Sequence, residues 1–264
     1  MIPLVADGCA VWLKLILPGL AWVWLLPAAL TGEPHPWKRR LCTGAAAGAT
    51  GVMLASLLTM ALGLAGVFTP TVEAAARAAL VAAGLAAGAW LHRGRLASML
   101  ADAMPVSLLF LAGTLTILSL PNRGEWLAGG WDPGVYMNEA AALARTGTFR
   151  PPDPLFHESL TADERAVFLR RGLAGIERFP GVMTDPARGA FTFEFFRLTP
   201  SFFAAVHRSG GLAAMARANT IAGMVLLAAF FALVWTRLRL SHAVFATLLR
   251  SEERRVGKEC RSRW

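Results

Sequence analysis

Apolar positions along this chain are gathered into long blocks, separated by short basic stretches and one long polar stretch. Five blocks are long and apolar enough to read as helices crossing a bilayer, which takes about 20 residues. They run from about Val11 to Leu30, Thr43 to Phe68, Ala74 to Leu91, Pro105 to Leu120 and Ala218 to Trp235. Pro18 and Pro27 interrupt the first block, and Gly and Ala fill the second, a composition that lets helices approach closely in lipid. The first block has no basic stretch before it and no small-residue cleavage site, so it reads as a spanning helix and not as a cleaved signal.

The polar connections set an expected orientation. Lys38, Arg39 and Arg40 follow the first block, His92, Arg93 and Arg95 the third, and Arg237, Arg239 and His242 the fifth. Short loops rich in Lys and Arg stay on the cytoplasmic side, and the three fall on one side of a five-span arrangement. The N-terminus and the long connection from Asn122 to about Arg217 are then extracytoplasmic. From Asn122 to Arg197 that connection carries nine Arg against ten Asp and Glu, so it is nearly neutral.

Local signals give the long connection structure of its own. Asp132 before Pro133 reads as an N-cap with Pro at the first helical position, and Gly147 as the stop after Thr146. Thr161-Ala162-Asp163-Glu164 is a capping box for a second helix, from Ala162 to about Leu173. Phe191-Thr192-Phe193-Glu194-Phe195 alternates like a short strand, or lays Phe rings at the lipid interface. Pro200 is expected to start an interfacial helix carrying Phe202 and Phe203.

Composition agrees with a membrane protein: 55% of residues are hydrophobic and 16% charged, against about 25% charged in soluble domains. The formal charge of +9 comes from clusters between apolar blocks, which excludes a nucleic-acid footprint as its reading. Cys9, Cys42 and Cys260 form neither a disulfide framework nor a zinc motif. The residues from Arg250 to Trp264 are dense in charge, lack an apolar period and resemble a translated sequencing adapter. They are set aside as a non-native tail, which lowers the formal charge to +6 and leads to the expectation that the native chain continues past Leu249. The organisation expected is a three-helix membrane region over 1–100, a second region over 101–249, and the tail over 250–264. The fold class is an all-α polytopic membrane protein with about five transmembrane helices and one long extracytoplasmic loop containing interfacial helices.

The segment from Gly130 to Gly147, with Trp131-Asp132-Pro133-Gly134-Val135-Tyr136 at its start, follows a spanning block and opens the long loop. It resembles the first outer loop of GT-C superfamily glycosyltransferases, which include protein O-mannosyltransferases and lipid A aminoarabinose transferases. Phe195-Phe196-Arg197-Leu198-Thr199-Pro200 resembles their re-entry into the second helix. The resemblance covers about Pro105 to Trp235 and leaves the first three helices as an N-terminal addition. It implies transfer of a sugar from a polyprenyl phosphate or diphosphate to an acceptor at the outer face of the bacterial cytoplasmic membrane. The partners implied are membrane lipid, that lipid-linked donor and an unidentified acceptor, with no nucleic acid.

In that reading Asp132 is the catalytic carboxylate, accepting the acceptor's proton or holding a divalent cation against the departing phosphate. Arg123, Arg145 and Arg150 are the nearest cations for the phosphate. Asp132 also needs no catalysis to explain it, since an N-cap fits the same position, and the two roles are compatible. Tyr136, the one Tyr in the chain, is either a substrate contact or an interfacial anchor, and Glu139 either a substrate contact or solvated surface. Asp153, His157 and Glu158 group loosely but lack the spacing of a metal site. His207 and Arg208 read as snorkelling residues or as contacts to anionic lipid or phosphate. Lys14, with Trp12, Trp22 and Trp24, reads as interface and packing. The Phe cluster from Phe191 to Phe203 reads as membrane-facing surface or as a sugar-stacking platform. The other class of function is a non-catalytic scaffold or transport subunit whose outer loop binds a partner.

Overall fold

A computed structural model describes residues 2–26, 35–92, 94–121, 132–172, 175–179, 181–185, 188–193 and 196–261. Among these the chain forms α1 (Ile2–Leu15), α2 (Leu17–Ala21), a 3-10 turn (Val23–Leu25), α3 (Pro36–Leu64), α4 (Pro70–Leu91) and α5 (Leu96–Ser119). The long connection holds α6 (Asp132–Thr146), α7 (Pro154–Glu158), α8 (Ala162–Phe168) and strands β1 (Arg170–Gly172), β2 (Gly175–Phe179), β3 (Val182–Asp185) and β4 (Ala190–Phe193). It closes with α9 (Leu198–Met215), and α10 (Ala218–Arg237) and α11 (Leu240–Arg261) follow. Five helical stretches are long and apolar enough to cross a membrane: Pro3–Ala21, Pro36–Leu64, Pro70–Leu91, Leu96–Ser119 and Ala218–Arg237. The protein is an all-α polytopic membrane protein that also carries one small sheet.

The boundaries of four spans correct the sequence reading. The apolar helical run that holds the first span begins further toward the N-terminus than Val11, because Asp7 does not break α1, and it ends near Leu25. Pro105 lies inside α5 and does not begin it. There it cannot donate to the Ala101 carbonyl, a loss one Pro imposes on a helix without ending it when flanking turns are strongly apolar. The second and third spans begin at Pro36 and Pro70, where a missing N–H costs nothing because first-turn amides have no intrahelical partner.

The chain divides into two compact units, each assembled from three separate stretches. The first comprises Met1–Lys14, Ala55–Ala79 and Leu120–Ala218; the second comprises Leu15–Leu54, Leu80–Ser119 and Asn219–Trp264. The second unit is helical and packs through small residues. A Cβ on Gly19 would come within 2.5 Å of the Gly51 amide nitrogen, and one on Gly44 within 2.5 Å of the Val106 Cβ. Such contacts let backbones approach where the hydrophobic effect gives no drive for helix association. Cys42, Ala45 and Ala232 form a buried cluster, and the Trp22 and Trp24 rings stack with centroids 5.5 Å apart. Their indole N–H groups donate to the Leu80 and Gly84 carbonyls at 3.0 and 2.7 Å. Arg39 pairs with Asp102 at 2.7 Å.

The first unit holds the polar connection. Its sheet runs β1-β2-β3-β4 with every pair antiparallel. The capping box at Thr161 forms, with the Thr161 hydroxyl accepting the Glu164 N–H at 3.3 Å while the Glu164 carboxylate accepts the Thr161 N–H at 2.8 Å. The Thr161 N–H and the Thr161 hydroxyl, which donates to the same carboxylate at 2.7 Å, hold the Glu164 carboxyl below its usual range. The helix it opens stops at Phe168, not near Leu173, because Arg170 to Gly172 pair with β2 instead. The strand expected at Phe191 is present as β4, and three further strands join it.

Candidate functional site

The site is built on α6 and the helix it packs against, α9. Helix α6 opens at Asp132 and ends at Thr146, as the Asp-Pro start and Thr-Gly stop dictate. Gly147 has φ +77°, a left-handed conformation, and a Cβ there would lie 3.0 Å from the Phe68 carbonyl oxygen. The position needs Gly for both reasons. The Gly147 carbonyl accepts the Phe68 N–H at 3.1 Å, tying the end of α6 to the α3–α4 connection.

Val135, Met137, Ala140, Ala142 and Leu143 are buried along α6. Val135 and Ala142 pack with Val182 of β3 and Phe193 of β4, so the sheet backs the helix. Leu143 meets Gly63 of α3, where a Cβ would come within 2.7 Å of a Leu143 methyl. Helix α9 starts at Leu198, two residues before Pro200, and buries Phe202 and Phe203. With Phe193 also in the core, the Phe cluster is neither a membrane-facing surface nor a sugar platform as a set. These rings fill the first unit's interior, and Phe196 is the described member that stays exposed.

Glu139 is the chemical centre of this arrangement. It is 1% exposed, which overturns its reading as solvated surface. Neither carboxylate oxygen has a hydrogen-bond partner among the described residues. An ionised carboxylate so placed is costly, and burial pushes the Glu139 carboxyl up to about 7, with the Arg197 charge pulling the other way. Arg197 sits at the start of α9 and lays its guanidinium over the Phe149 ring, 5.3 Å from the centroid. The site therefore offers a buried carboxyl with a raised pKa, two oxygens without a partner among the described residues, and a cation nearby.

The other expected site residues are placed less uniformly. Positions 132, 136 and 139 fall on one face of α6 by helical spacing, within two turns. Tyr136 is half-buried and Arg145 and Arg150 are exposed. The Asp132 side chain and the whole of Arg123 lie outside the described residues. Asp153 is buried and accepts the Phe156 N–H at 3.3 Å, an ordinary capping arrangement; Glu158 is exposed, and the His157 side chain lies outside the described residues.

Sequence reasoning passed over a second group of charges in the same unit. Glu73, in the first turn of α4, is 2% exposed and pairs with Arg77 at 2.8 Å and with Lys14 of α1 at 3.1 Å. Lys14 is thus an ion-pair partner of Glu73. Arg208 of α9 donates to the Phe68 carbonyl and covers the Phe68 ring, 4.2 Å from its centroid, so it does not snorkel. Its neighbour His207 is half-buried, and desolvation and the Arg208 charge hold the imidazole below its usual pKa. An acid and a base at i, i+4 inside an apolar run, Glu73 and Arg77, was the readable signal.

Comparison with known protein families, with curated proteins and with solved structures gives no match to this chain.

Proposed function

We propose that this protein takes part in moving a sugar from a polyprenyl-phosphate donor to an acceptor at the outer face of the bacterial cytoplasmic membrane, as a GT-C-like glycosyltransferase. The observation that carries the reading is the buried Glu139 carboxyl, whose two oxygens have no partner among the described residues. It lies two turns from Asp132 on a helix that opens a long polar connection. Buried carboxylate oxygens are almost always satisfied, and hydroxyls of a sugar or acceptor would supply the missing donors. Asp132 takes the catalytic role, as proton acceptor or as ligand to a divalent cation, where water-borne acceptor meets membrane-held donor. Tyr136 and Glu139 bind substrate along the same helical face, and Arg123 and Arg145 approach the departing phosphate. The basic short loops support the outward placement of this connection.

The test is transfer from a polyprenyl-phosphate sugar, labelled in the sugar, by membranes containing the protein. Asp132→Asn should end transfer while leaving membrane insertion unchanged. Transfer retained in that variant would remove Asp132 from the reaction.

A non-catalytic role has one observation in its favour. Phe196 and Val167, at 88% and 81% exposed, are apolar side chains of the polar connection left uncovered. A scaffold would use them to hold a partner. Phe196→Ser would then abolish partner capture, and Asp132→Asn would have no effect on anything measured.

A further inference from the structure

We propose that Arg208, Arg77 and Lys14 form a receptor for the phosphate group of a membrane lipid. The inference does not rest on sugar transfer, and its residues are not those of the α6 face.

The cluster carries a charge imbalance. Lys14 and Arg77 both bind one carboxylate, that of Glu73, at 3.1 and 2.8 Å. Arg208 lies within electrostatic reach of Glu73 and of Lys14. Three cations thus surround one buried anion. Asp7 lies two turns before Lys14 on α1 and beside Gly210, where a built Cβ would lie 3.4 Å from the Asp7 Cβ. Counting Asp7 still leaves positive charge in excess.

The same cluster holds unfilled donors. The Arg77 Nε and the Arg208 Nε and Nη1 are buried and have no hydrogen-bond partner among the described residues. Leaving a buried charged donor unsatisfied is expensive, so native structures supply a partner, an ordered water or an ion. Arg208 is meanwhile fixed in place: its Nη2 donates to the Phe68 carbonyl, and its guanidinium lies on the Phe68 ring. A cation pinned on one side with free N–H groups on the other is preorganised to receive an anion, and the guanidinium geometry suits phosphate oxygens.

Depth selects the source of the phosphate. Glu73 sits in the first turn, and Arg77 in the second, of a helix apolar enough to cross a membrane. The opening turns of a spanning helix lie where lipid headgroups lie, since the hydrocarbon layer takes up about 20 of its residues. A phosphate monoester on a lipid arrives at that depth already anchored, whereas free phosphate must leave water to reach it.

The full chain, purified in a neutral detergent, is titrated with phosphatidic acid, with phosphatidylcholine and with inorganic phosphate, and bound lipid is counted by native mass spectrometry. Phosphatidic acid should bind at least about tenfold tighter than phosphatidylcholine, and Arg208→Gln should weaken it about tenfold or more, the value of a charge-assisted hydrogen bond. Arg188→Gln, which alters an exposed Arg between β3 and β4, should leave binding unchanged. Should Arg208→Gln fail to fold, Arg208→Lys keeps the charge over Phe68 and should lose a smaller but measurable part of the binding. Equal binding of the two lipids, or phosphatidic acid binding unaffected in the Arg208 variants, would overturn the proposal. Inorganic phosphate displacing the lipid at equal concentration would overturn its lipid source.

Discussion

Removing the charge of Glu139 should make the protein more stable at alkaline pH, and the size of the effect follows from its burial. The carboxyl ionises at about 7 in the folded protein, against 4.5 for an unburied glutamate. Each unit between those values is worth about 1.4 kcal/mol, so ionising Glu139 costs the folded state about 3 kcal/mol. The sign follows from proton binding. Below pH 4.5 both states hold the proton and nothing is lost. As pH rises toward 7 the unfolded chain releases its proton and the folded chain does not, so stability falls, and above 7 the whole penalty applies. His207 acts in the opposite sense, because a depressed imidazole pKa removes stability as pH falls. The useful quantity is therefore the difference between the native protein and Glu139→Gln, which keeps the shape and removes one titration. Thermal unfolding in a neutral detergent between pH 4 and 8 should show the variant gaining on the native protein steadily from about pH 4.5 to 7 and then holding level. A constant offset from the amide's own hydrogen-bonding needs does not alter that slope. Parallel curves for the two proteins would refute the reasoning, because they would mean that Glu139 is solvated or already paired.

Two further substitutions test the packing around this helix. Gly147→Ala and Gly66→Ala both place a side chain at positive φ, +77° and +71°, a strain of about 1–2 kcal/mol each. At Gly147 the new Cβ also lies 3.0 Å from the Phe68 carbonyl oxygen, whereas at Gly66 its nearest neighbour, the Thr148 hydroxyl, is 3.9 Å away. Gly147→Ala should therefore lower the unfolding temperature clearly more than Gly66→Ala, and equal losses would dismiss the Phe68 contact. Glu73→Gln leaves the buried Arg77 and the part-buried Lys14 together without their counter-charge and should cost about 3 kcal/mol. Adding Lys14→Met to that variant should restore part of the loss in the same unfolding assay, and no recovery would mean that the two cations do not strain each other.

What the sequence made legible was what depends on near neighbours. Both ends of α6 could be read, because Asp132-Pro133 and Thr146-Gly147 act within a turn of where they stand. The capping box at Thr161 could be read for the same reason. The spans were visible from composition, although their ends were not, since a helix continues past a Pro or an Asp when its flanks are apolar enough. The length of α8 was hidden because β2 claims residues after Phe168, a pairing no local rule contains. Glu139 was hidden likewise: helical spacing gives its face, but burial is decided by α9, from a distant part of the chain. The same applies to Phe202 and Phe203, which read as interfacial because their hydrophobicity is visible and their covering is not. Glu73 and Arg77 are the exception, a pair legible at i, i+4 that beginning the third span at Ala74 concealed.

Phe68 explains why both groups of charge occur in one unit. It is fully buried in the connection between α3 and α4, and both of its backbone polar groups are used. Its N–H donates to the Gly147 carbonyl at the end of α6, while its carbonyl accepts from Arg208 of α9. The helix carrying Glu139 and the helix carrying Arg197 and Arg208 are thereby fastened to one turn, which itself leads within a few residues to Glu73. The stop after Thr146 is therefore more than the end of a helix. Gly is required there because the chain must turn left-handed and admit the Phe68 carbonyl in the same place. A side chain at that position would push on the residue that holds Arg208, and through α9 on the cation opposite Glu139. Rigid elements that share one anchor move together or not at all, so the buried carboxyl and the cationic cluster are held at fixed separation by packing, with no direct contact between them needed.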